Sequence, residues 1–466
     1  MQSLARHIES LVLELTLALN ILHLSDIHFK YTLDGTVHDL DFDVRNELEI
    51  DVRQIIEQSG PINAILVTGD IAFAGKADDY EVAKKWLASL CKKIGCKAEH
   101  VWVVPGNHDI DRNSVTELVR TVQNSIQKAQ IDDIDKCIRQ FVHDDPTGAE
   151  VLASPLTEYH KFSAIYGCKP KSGHLSWQDD LKLNLGYTLR LFGLNSAIVS
   201  NNHDHQTTRP LVVGQAQLNM PRKRGYMYLS MCHHPVSWLK DGEQVAAKLS
   251  NRASLQLFGH VHEQALQQVE KTLIIQAGAL QPDREDDEPW CPAYNVLTLE
   301  VIESTAGHSL SVTVFPRIWC KDHCFSPDPS VGDKQYQRYT LPIDQAVSFG
   351  EELVEDKSVD SPETPVDAEK DTEQEHIMAN PVRQLVYAFL TLPYSSQIRI
   401  ADQLSLLLDE DAGLDCAALF ERIYERAHAR NSLAALWDRV SKEQRDVNMK
   451  NNPYETSGEQ KEKNCG

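Results

Sequence analysis

Short apolar runs alternate with helix-like segments over the first 110 residues of the chain. The runs have the length of strands, and an apolar period near 3.6 residues marks the segments between them. The runs are 20–26, 63–70 and 100–107, and the two helix-like segments are 37–58 and 78–95. This β-α-β-α-β order predicts parallel strands in a sheet that is covered by helices.

The alternation stops and then resumes further along the chain. Residues 112–180 have the pattern of a mainly helical insertion. After it, apolar runs that end in polar residues return at 189–198, 225–235 and 253–263. Three later runs, 272–278, 294–302 and 310–318, have strand character and are interpreted as strands of a second sheet.

The composition changes towards the C-terminus. Glu351 to Glu375 contain eleven acidic residues and two lysines, which predicts that 346–378 is a disordered acidic linker. Beyond it, four short amphipathic segments predict a small all-α bundle over 379–445, near the lower size limit for independent folding. The polar residues 446–466 are expected to form a disordered tail.

The apolar stretch 11–24 has the hydrophobic character of part of a signal peptide. However, Glu14 and Asn20 interrupt it, and no small-residue cleavage site follows. It is also too short to cross a bilayer. We expect a short helix that leads into the first strand. Alternatively, the start of the sequence is placed too early, and residues 1–19 do not belong to the native protein.

The charge and the cysteines narrow the class of protein. The net charge is −22 and the isoelectric point is about 5.3, which argues against bulk electrostatic attachment to nucleic acid or to an anionic membrane. The ten cysteines are scattered without CxxC pairs, a pattern typical of reduced thiols. These features favour a cytoplasmic protein with no membrane partner.

Five polar clusters each follow an apolar run. They are SDIH (25–28), TGD (68–70), PGNHD (105–109), HHP (233–235) and GHVH (259–262). Carboxylate, imidazole and amide oxygen together suit manganese, iron or zinc. Because ligands of α/β sheets gather at the carboxyl ends of the strands, we expect the clusters to meet at one site.

In this order, the five clusters resemble the motifs of the calcineurin-like metallophosphoesterases, which are dinuclear-metal phosphohydrolases. The resemblance covers about residues 20–300. It implies an α/β fold, a four-layer α/β/β/α sandwich of two facing mixed sheets, with the site at their shared edge. We therefore expect a catalytic domain over residues 1–345, followed by the linker and the C-terminal all-α bundle.

The resemblance also implies roles for individual residues. The expected ligands of two divalent ions (manganese, iron or zinc) are Asp26, His28, Asp70, Asn107, His233, His260 and His262. Asp70 would bridge the two ions, and His108 would be the general acid. The H-x-P pattern selects His233 as the ligand. His234 would then either contact a ligand residue without binding metal itself or pack in the core.

The function that follows is hydrolysis of a phosphoric ester, with phosphodiesters as the expected substrates. A hydroxide that bridges both ions would attack phosphorus in line, and His108 would protonate the leaving group. Phosphomonoesters and phosphoproteins are alternative substrates. Protein phosphatases of this superfamily usually have GNHE, whereas this chain has GNHD, so phosphoprotein substrates are less favoured.

A nuclease is a further alternative, since repair exonucleases of the same superfamily share these motifs. The C-terminal bundle resembles the effector-associated or death-like adaptor domains of bacterial conflict systems. On that hypothesis the chain is a nuclease effector of a defence-type system, recruited to a protein partner through residues 379–445. A helical module for self-association fits the same pattern equally well.

Overall fold

The computed structural model describes most of the chain before residue 345 and parts of the chain after it. The described residues are 18–31, 42–142, 144–168, 175–201, 204, 207–281, 291–304, 307–332, 334–344, 384–385, 388–389, 392, 394–408, 411, 416–443 and 452–454. The predicted linker 346–378, residues 11–17, and most of the predicted tail 446–466 and of the first C-terminal helical segment (381–392) lie outside these ranges.

The described residues form thirteen strands before residue 345. They are β1 (Leu19–Leu24), β2 (Ala64–Val67), β3 (Val101–Val103), β4 (Trp177–Lys182), β5 (Thr188–Gly193), β6 (Tyr226–Cys232), β7 (Leu255–Phe258), β8 (Ala265–Val269), β9 (Thr272–Gln276), β10 (Ala293–Ser304), β11 (Gly307–Trp319), β12 (Phe325–Pro327) and β13 (Gln337–Pro342).

Seven α-helices accompany these strands in the same described part of the chain. They are α1 (Phe42–Ser59), α2 (Ala77–Ile94), α3 (Glu117–Lys128), α4 (Ile134–Val142), α5 (Pro146–Ala153), α6 (Thr157–Ser163) and α7 (Gly242–Arg252). Helix α2 ends where its sequence predicts, because Gly95 adopts a left-handed conformation with φ of 76° directly after it.

The first sheet has the strand order β12-β11-β10-β1-β2-β3, and β13 also pairs with β11. Strands β1, β2 and β3 are parallel, with Leu22 opposite Ile65 and Leu66 opposite Trp102. Helices α1 and α2 connect them, so the β-α-β-α-β prediction is confirmed. The carboxyl ends of the three strands therefore lie along one edge of the sheet.

The late strands correct the sequence interpretation. We expected 294–302 and 310–318 to belong to a second sheet, but β10 pairs antiparallel with β1, with Ile21 opposite Leu297. Strand β11 follows β10 as a hairpin and extends the first sheet further. The physical reason is that β1 pairs with β2 on one side only, and the long apolar β10 satisfies its other edge.

The second sheet has the order β4-β5-β6-β7-β9-β8. Strands β5, β6, β7 and β9 are parallel, and β4 and β8 pair antiparallel at the two edges. Both sheets are therefore mixed, as predicted. Strand β4 occupies residues that the sequence analysis placed in the helical insertion, whose last α-helix ends at Ser163.

The two sheets pack face to face around one core. Ile21 and Leu66 of the first sheet share it with Leu229 and Leu257 of the second, all of them buried. Helices α1 and α2 contribute to the same cluster, whereas α4 and α7 pack with the second sheet in a separate cluster, and α3 contributes to both. The result is the predicted four-layer α/β/β/α sandwich.

Residues 18–349 form one compact unit, and the described C-terminal residues belong to a second. The second unit contains α8 (Tyr394–Gln403), α9 (Cys416–Ala429) and α10 (Leu433–Glu443). Its core includes Phe389, Phe420 and Trp437, all fully or almost fully buried. Among the residues that the structure describes, no helix has the length and apolar character needed to cross a bilayer.

Candidate metal centre

The five polar clusters lie at the carboxyl ends of parallel strands from both sheets. Asp26 and His28 follow β1, Asp70 follows β2, Asn107 and His108 follow β3, His233 follows β6, and His260 and His262 follow β7. Two backbone hydrogen bonds join the loops of the two sheets, from Leu280 N to Ser25 O (3.1 Å) and from Gln281 N to Asp26 O (3.0 Å). The strand ends of both sheets thus form one site.

Within this site the ligand-type atoms are close enough to share cations. Four sets of three side chains each have their ligand atoms within 4.8 Å of one another. The sets are Asp26, Asp70 and His233; Asp26, His28 and His262; His28, Asp70 and His108; and His233, His234 and His260. Asn107 joins them through its Oδ1 atom, which lies 3.1 Å from His233 Nε2.

Asp70 is at the centre of the cluster. Its Oδ2 atom lies 3.3 Å from His28 Nε2 and 3.2 Å from His233 Nε2. Its other oxygen, Oδ1, accepts a hydrogen bond of 2.7 Å from the backbone N–H of His108. One carboxylate oxygen is therefore fixed by the backbone, and the other lies between imidazoles that come from different sheets.

Backbone carbonyls orient two of the histidines. His28 donates from Nδ1 to the carbonyl oxygen of Gln281 (2.9 Å), and His233 donates from Nδ1 to that of Thr68 (2.7 Å). Because a carbonyl oxygen only accepts, each neutral ring presents an unprotonated Nε2 to the site. Sequence reasoning missed Gln281 and Thr68, since a main-chain acceptor leaves no trace in residue identity.

The donor set fits a cation. Asp70 Oδ2, Asn107 Oδ1 and, in the neutral ring, His233 Nε2 all offer lone pairs, and His233 Nε2 lies within 3.2 Å of the other two atoms. Burial alone lowers the pKa of His233, but the charges of Asp70 and Asp26 raise it to about 9. The carboxylates thus favour positive charge at this position, which either a proton on His233 or a metal ion would supply, and carboxylate, imidazole and amide oxygen are suitable ligands for manganese, iron or zinc.

Among the predicted ligands, two buried side-chain atoms have no hydrogen-bond partner in the described part of the chain. They are Asp26 Oδ1 and His260 Nε2. His262 Nε2 lies 3.3 Å from Asp26 Oδ1. Although burial raises the pKa of Asp26, the imidazoles of His262 and His233 lower it to about 2, so the carboxylate is ionised. Metal coordination would satisfy both atoms.

Backbone strain is concentrated at the predicted ligands. Five of the seven have left-handed backbone conformations, which non-glycine residues rarely adopt and which cost free energy. They are Asp26 (φ 51°), His28 (φ 49°), Asp70 (φ 51°), His260 (φ 70°) and His262 (φ 62°). Strain maintained at the ends of three different strands indicates that the loops are shaped to aim side chains at a common point.

Glycines allow the loops to approach one another. A Cβ atom on Gly69, which has φ of 98°, would lie 2.5 Å from His233 Nδ1. A Cβ atom on Gly106 would lie 2.6 Å from the backbone nitrogen of Asp70 and closer still to its Oδ1. These positions therefore exclude any side chain while the metal-site loops keep their places.

His108 borders the cluster from the β3 side. Its Nδ1 donates to the carbonyl oxygen of Phe73 (2.9 Å), and its ring lies 4.6 Å from that of His28, centroid to centroid. Burial lowers the pKa of His108, although the charge of Asp70 opposes this. The ring is therefore neutral at pH 7, with Nε2 as its unprotonated nitrogen.

Asp109 is a buried scaffold residue. Its carboxylate accepts hydrogen bonds from the backbone N–H groups of Ala72 (3.0 Å) and Gly106 (2.9 Å) and from the hydroxyl of Tyr80 (2.8 Å). It also accepts from Ile71 N at 3.2 Å. It therefore joins the β2 and β3 loops, and the His108 imidazole has a different partner.

Removal of this carboxylate should destabilise the catalytic unit. Asp109→Ala leaves several buried donors without an acceptor, so we expect the free energy of unfolding to fall by at least about 3 kcal/mol. Urea denaturation followed by tryptophan fluorescence measures this loss. Asp109→Asn keeps one acceptor oxygen and should lose less, whereas a change below about 1 kcal/mol for Asp109→Ala would contradict the scaffold role.

Sequence reasoning also missed two side chains around the β6 and β7 loops. Ser196 Oγ lies 2.8 Å from His234 Nδ1, and the Trp238 ring lies edge-on to His260 with a centroid distance of 4.1 Å. The available signal was the polar pair Asn195 and Ser196, which follows the apolar β5 after Leu194. Trp238 had no such signal, because a single aromatic residue in a loop is common.

Comparisons with known sequences give a domain family at the C-terminus and a relative in Bacillus subtilis. Residues 381–442 match the family described as GTPase-associated adaptor domain. An uncharacterized metallophosphoesterase-like protein, YydB of Bacillus subtilis (strain 168), is 24% identical over 257 residues, which are 52% of this chain and 48% of that protein. The chain thus spans about half the length of the curated relative that it matches.

Solved structures show low similarity to this chain. Vps29 of Chaetomium thermophilum is 10% identical with a TM-score of 0.28, covering 70% of this chain and 100% of that chain. GAP50 of Plasmodium is 10% identical with a TM-score of 0.35, and the match covers 71% of this chain and 90% of that chain. A protein of Streptococcus pneumoniae described as a predicted phosphoesterase is 11% identical with a TM-score of 0.26, and the match covers 69% of this chain and 98% of that chain.

A second family model matches the part of the chain that contains the five polar clusters. The family described as calcineurin-like phosphoesterase matches residues 19–264, which is more than half of the 466 residues. These bounds enclose β1 to β7 and each of the five polar clusters that meet around Asp70. With this coverage and this site, the chain belongs to the calcineurin-like phosphoesterase family.

Proposed function

We propose that this chain is a phosphodiesterase that uses two divalent metal ions. One observation carries the proposal, namely that Asp70 Oδ2 lies 3.3 Å from His28 Nε2 and 3.2 Å from His233 Nε2. A single carboxylate oxygen between imidazoles of two different sheets has the geometry expected of a ligand that two cations share. The family membership supports metal-dependent hydrolysis of a phosphate ester.

The surrounding residues divide into two ligand sets. Asp26, His28 and His262 would hold one ion, and Asn107, His233 and His260 would hold the other, with Asp70 common to both. The first set has its ligand atoms within 4.8 Å of one another, which supports this division. Bound at these positions, the two ions would supply Lewis-acid activation of water and of the phosphate oxygens.

His108 would act on the leaving group. Its Nδ1 is committed to Phe73 O, so Nε2 is the nitrogen that can carry a proton to the substrate. Burial lowers its pKa, but the negative charge of a bound phosphate raises the pKa of an imidazole beside it. The proton would thus be present when substrate is bound and would pass from Nε2 to the departing oxygen.

Diesters are the proposed substrates because the GNHD motif with a final GHVH resembles the cyclic-nucleotide and general phosphodiesterase branch of the family more than the protein phosphatases. A panel with Mn²⁺ tests this choice. We expect bis-p-nitrophenyl phosphate to be cleaved faster than p-nitrophenyl phosphate. Faster cleavage of the monoester would overturn the choice, and cleavage of single- or double-stranded DNA would favour the nuclease alternative.

The approach of Gly106 to Asp70 gives a prediction about activity. In Gly106→Ala the new methyl group meets the Asp70 backbone and carboxylate, so the bridging oxygen must move. We expect diester hydrolysis to fall by about 100-fold or more, since displacement of a catalytic group by about 1 Å has effects of this size. Initial rates at saturating Mn²⁺ measure it.

Gly95→Ala is the control for this substitution. Gly95 has a left-handed backbone conformation, but a Cβ atom there meets nothing within 4 Å. The control should therefore lose about 1 kcal/mol of stability and keep its activity. Retention of more than half the wild-type activity in Gly106→Ala would show that the Asp70 position is not critical.

We propose, secondly, that the C-terminal unit is an adaptor for a protein partner. The match of residues 381–442 supports this role, and the family description makes a GTPase the first partner to test. The unit has its own buried core, which includes Phe420, Ile423 and Trp437. Such a core is consistent with a separate module rather than with an extension of the catalytic fold.

Deletion of residues 376–466 tests the separation of the two roles. The shortened chain retains residues 18–349, which form a compact unit, so we expect its rate with bis-p-nitrophenyl phosphate to stay within about twofold of the full chain. Co-purification with a candidate GTPase should be lost. Loss of the basal rate would contradict a separate adaptor, and light scattering would reveal self-association in its place.

A further inference from the structure

His234 is a completely buried histidine next to the predicted ligand His233. Both of its ring nitrogens have partners. Nδ1 lies 2.8 Å from Ser196 Oγ, and Nε2 lies 3.1 Å from Asn107 Oδ1. The ring packs against that of His260 at a centroid distance of 4.4 Å, so its plane is fixed by packing as well as by hydrogen bonds.

The partners determine where the proton of His234 lies. The amide oxygen of Asn107 only accepts, so His234 Nε2 must be the donor in that contact. In the neutral ring, Nδ1 is then an acceptor and takes the hydroxyl hydrogen of Ser196. Ser196 Oγ in turn accepts from the backbone N–H of His234 at 3.3 Å. A chain of hydrogen bonds thus ends on Asn107.

The side-chain amide of Asn107 has an oxygen and an NH₂ group of nearly equal shape, and only the oxygen can bind a metal ion. Its oxygen lies 3.1 Å from the Nε2 atoms of both His233 and His234. Once His233 Nε2 gives its lone pair to a metal ion, it has no hydrogen to donate to that oxygen, because the hydrogen of the neutral ring is on Nδ1 and bonded to Thr68 O. Some other group must therefore favour the orientation in which the oxygen is turned inward.

We propose that His234 is a positioning residue that holds the amide oxygen of Asn107 towards the second metal position by donating to it from Nε2. This inference rests on the proposed two-metal function. The Ser196 hydroxyl can donate to Nδ1 and so accommodates the required tautomer. If the amide turned over, its NH₂ group would face the donor hydrogen of His234, and the two would repel each other. The oxygen-inward orientation is thus present before metal arrives.

Metal binding to His234→Leu tests the proposal. The leucine fills the space but donates nothing, so we expect the dissociation constant of the weaker of two Mn²⁺ ions to rise by about 10–100-fold, as for lost partners of ligands elsewhere. Titration of metal-free protein followed by electron paramagnetic resonance reports free Mn²⁺ without any enzymatic assay. Binding of both ions with wild-type affinity would overturn the proposal.

The decisive comparison uses Asn107→Asp. A carboxylate presents an oxygen whichever way it turns, so orientation no longer matters in that background. His234→Leu should then weaken binding of the second ion by less than about threefold when combined with Asn107→Asp, which is a strong departure from additivity. Equal losses in both backgrounds would show that His234 acts through packing, and the proposal would fail.

Further variants keep the test interpretable. His234→Gln can still donate through its amide and should recover part of the affinity. His23→Leu is the matched control, because His23 is also fully buried but bonds to Thr68 Oγ1 (3.0 Å) instead of Asn107. Its two-ion binding should stay at the wild-type level.

If wild-type protein itself binds no Mn²⁺, the proposed function fails. This outcome differs from unchanged Mn²⁺ binding in His234→Leu, which contradicts only the positioning role of His234.

Discussion

Asp70→Asn is expected to reduce diester hydrolysis by about a thousandfold or more while the protein remains folded. The substitution changes one oxygen to an NH₂ group and removes the negative charge, with almost no change in volume. If Oδ2 is shared by two cations, the loss removes several kcal/mol of electrostatic stabilisation, and about 4 kcal/mol corresponds to a thousandfold in rate.

The structure shows how the Asp70 carboxylate is held in place. It is 1% exposed, and its Oδ1 already accepts from His108 N, so only Oδ2 is available between His28 and His233. Burial raises the pKa of Asp70, but the imidazoles of His233 and His108 bring it well below the ordinary value. The carboxylate is therefore ionised at neutral pH.

Asp51→Asn is the matched control for this experiment. Asp51 is likewise a buried carboxylate, but it pairs with Arg317 (2.7 Å) on the first sheet and not with a predicted ligand. The control should lose stability and keep its bound metal and its rate. Comparable activity in Asp70→Asn and wild type would refute the shared-carboxylate mechanism.

His108→Gln should lower kcat by about 10²–10⁴-fold for a diester with an alkoxide leaving group. With bis-p-nitrophenyl phosphate the loss should be less than about tenfold, because nitrophenolate departs without a proton. The bound metal content should not change, since His108 is not among the predicted ligands. Steady-state rates with both substrates and metal analysis of the same preparation test all three expectations.

The position of His108 supports this dependence on the leaving group. Its backbone N–H is bonded to Asp70 and its Nδ1 to Phe73, so the ring is held beside the cluster by two contacts. His160→Gln is the control, because His160 is a half-buried histidine on α6 that lies outside the site. Equal losses with both substrates, or loss of metal in His108→Gln, would contradict the general-acid role.

The local pattern predicted the part of the fold that matters most for the site. Alternating strands and helices up to residue 110 predicted the parallel β1, β2 and β3, and parallel strands place Asp26, Asp70 and Asn107 at one edge. Each of these strands is followed by residues of metal-ligand type, whereas most strands are followed by ordinary turn-forming residues. Candidate ligands were therefore found before any pairing was known.

The sequence could not predict features that depend on distant pairing or on the main chain. Strand β10 joins the first sheet because β1 has an unpaired edge, and nothing in the composition of 294–302 specifies this partner. The carbonyls of Thr68 and Gln281 orient His233 and His28 without any side-chain signal. The left-handed backbone of the ligand residues is also invisible in residue identity.

Metal reconstitution tests the central claim most directly. Protein freed of metal with a chelator should have no diester hydrolysis, and stepwise addition of Mn²⁺ should restore activity in proportion to occupancy of a second site, with two ions bound per chain by elemental analysis. Asp70→Asn should not reach this stoichiometry. Full activity in metal-free protein, or full activity with one ion per chain, would contradict a two-metal phosphodiesterase.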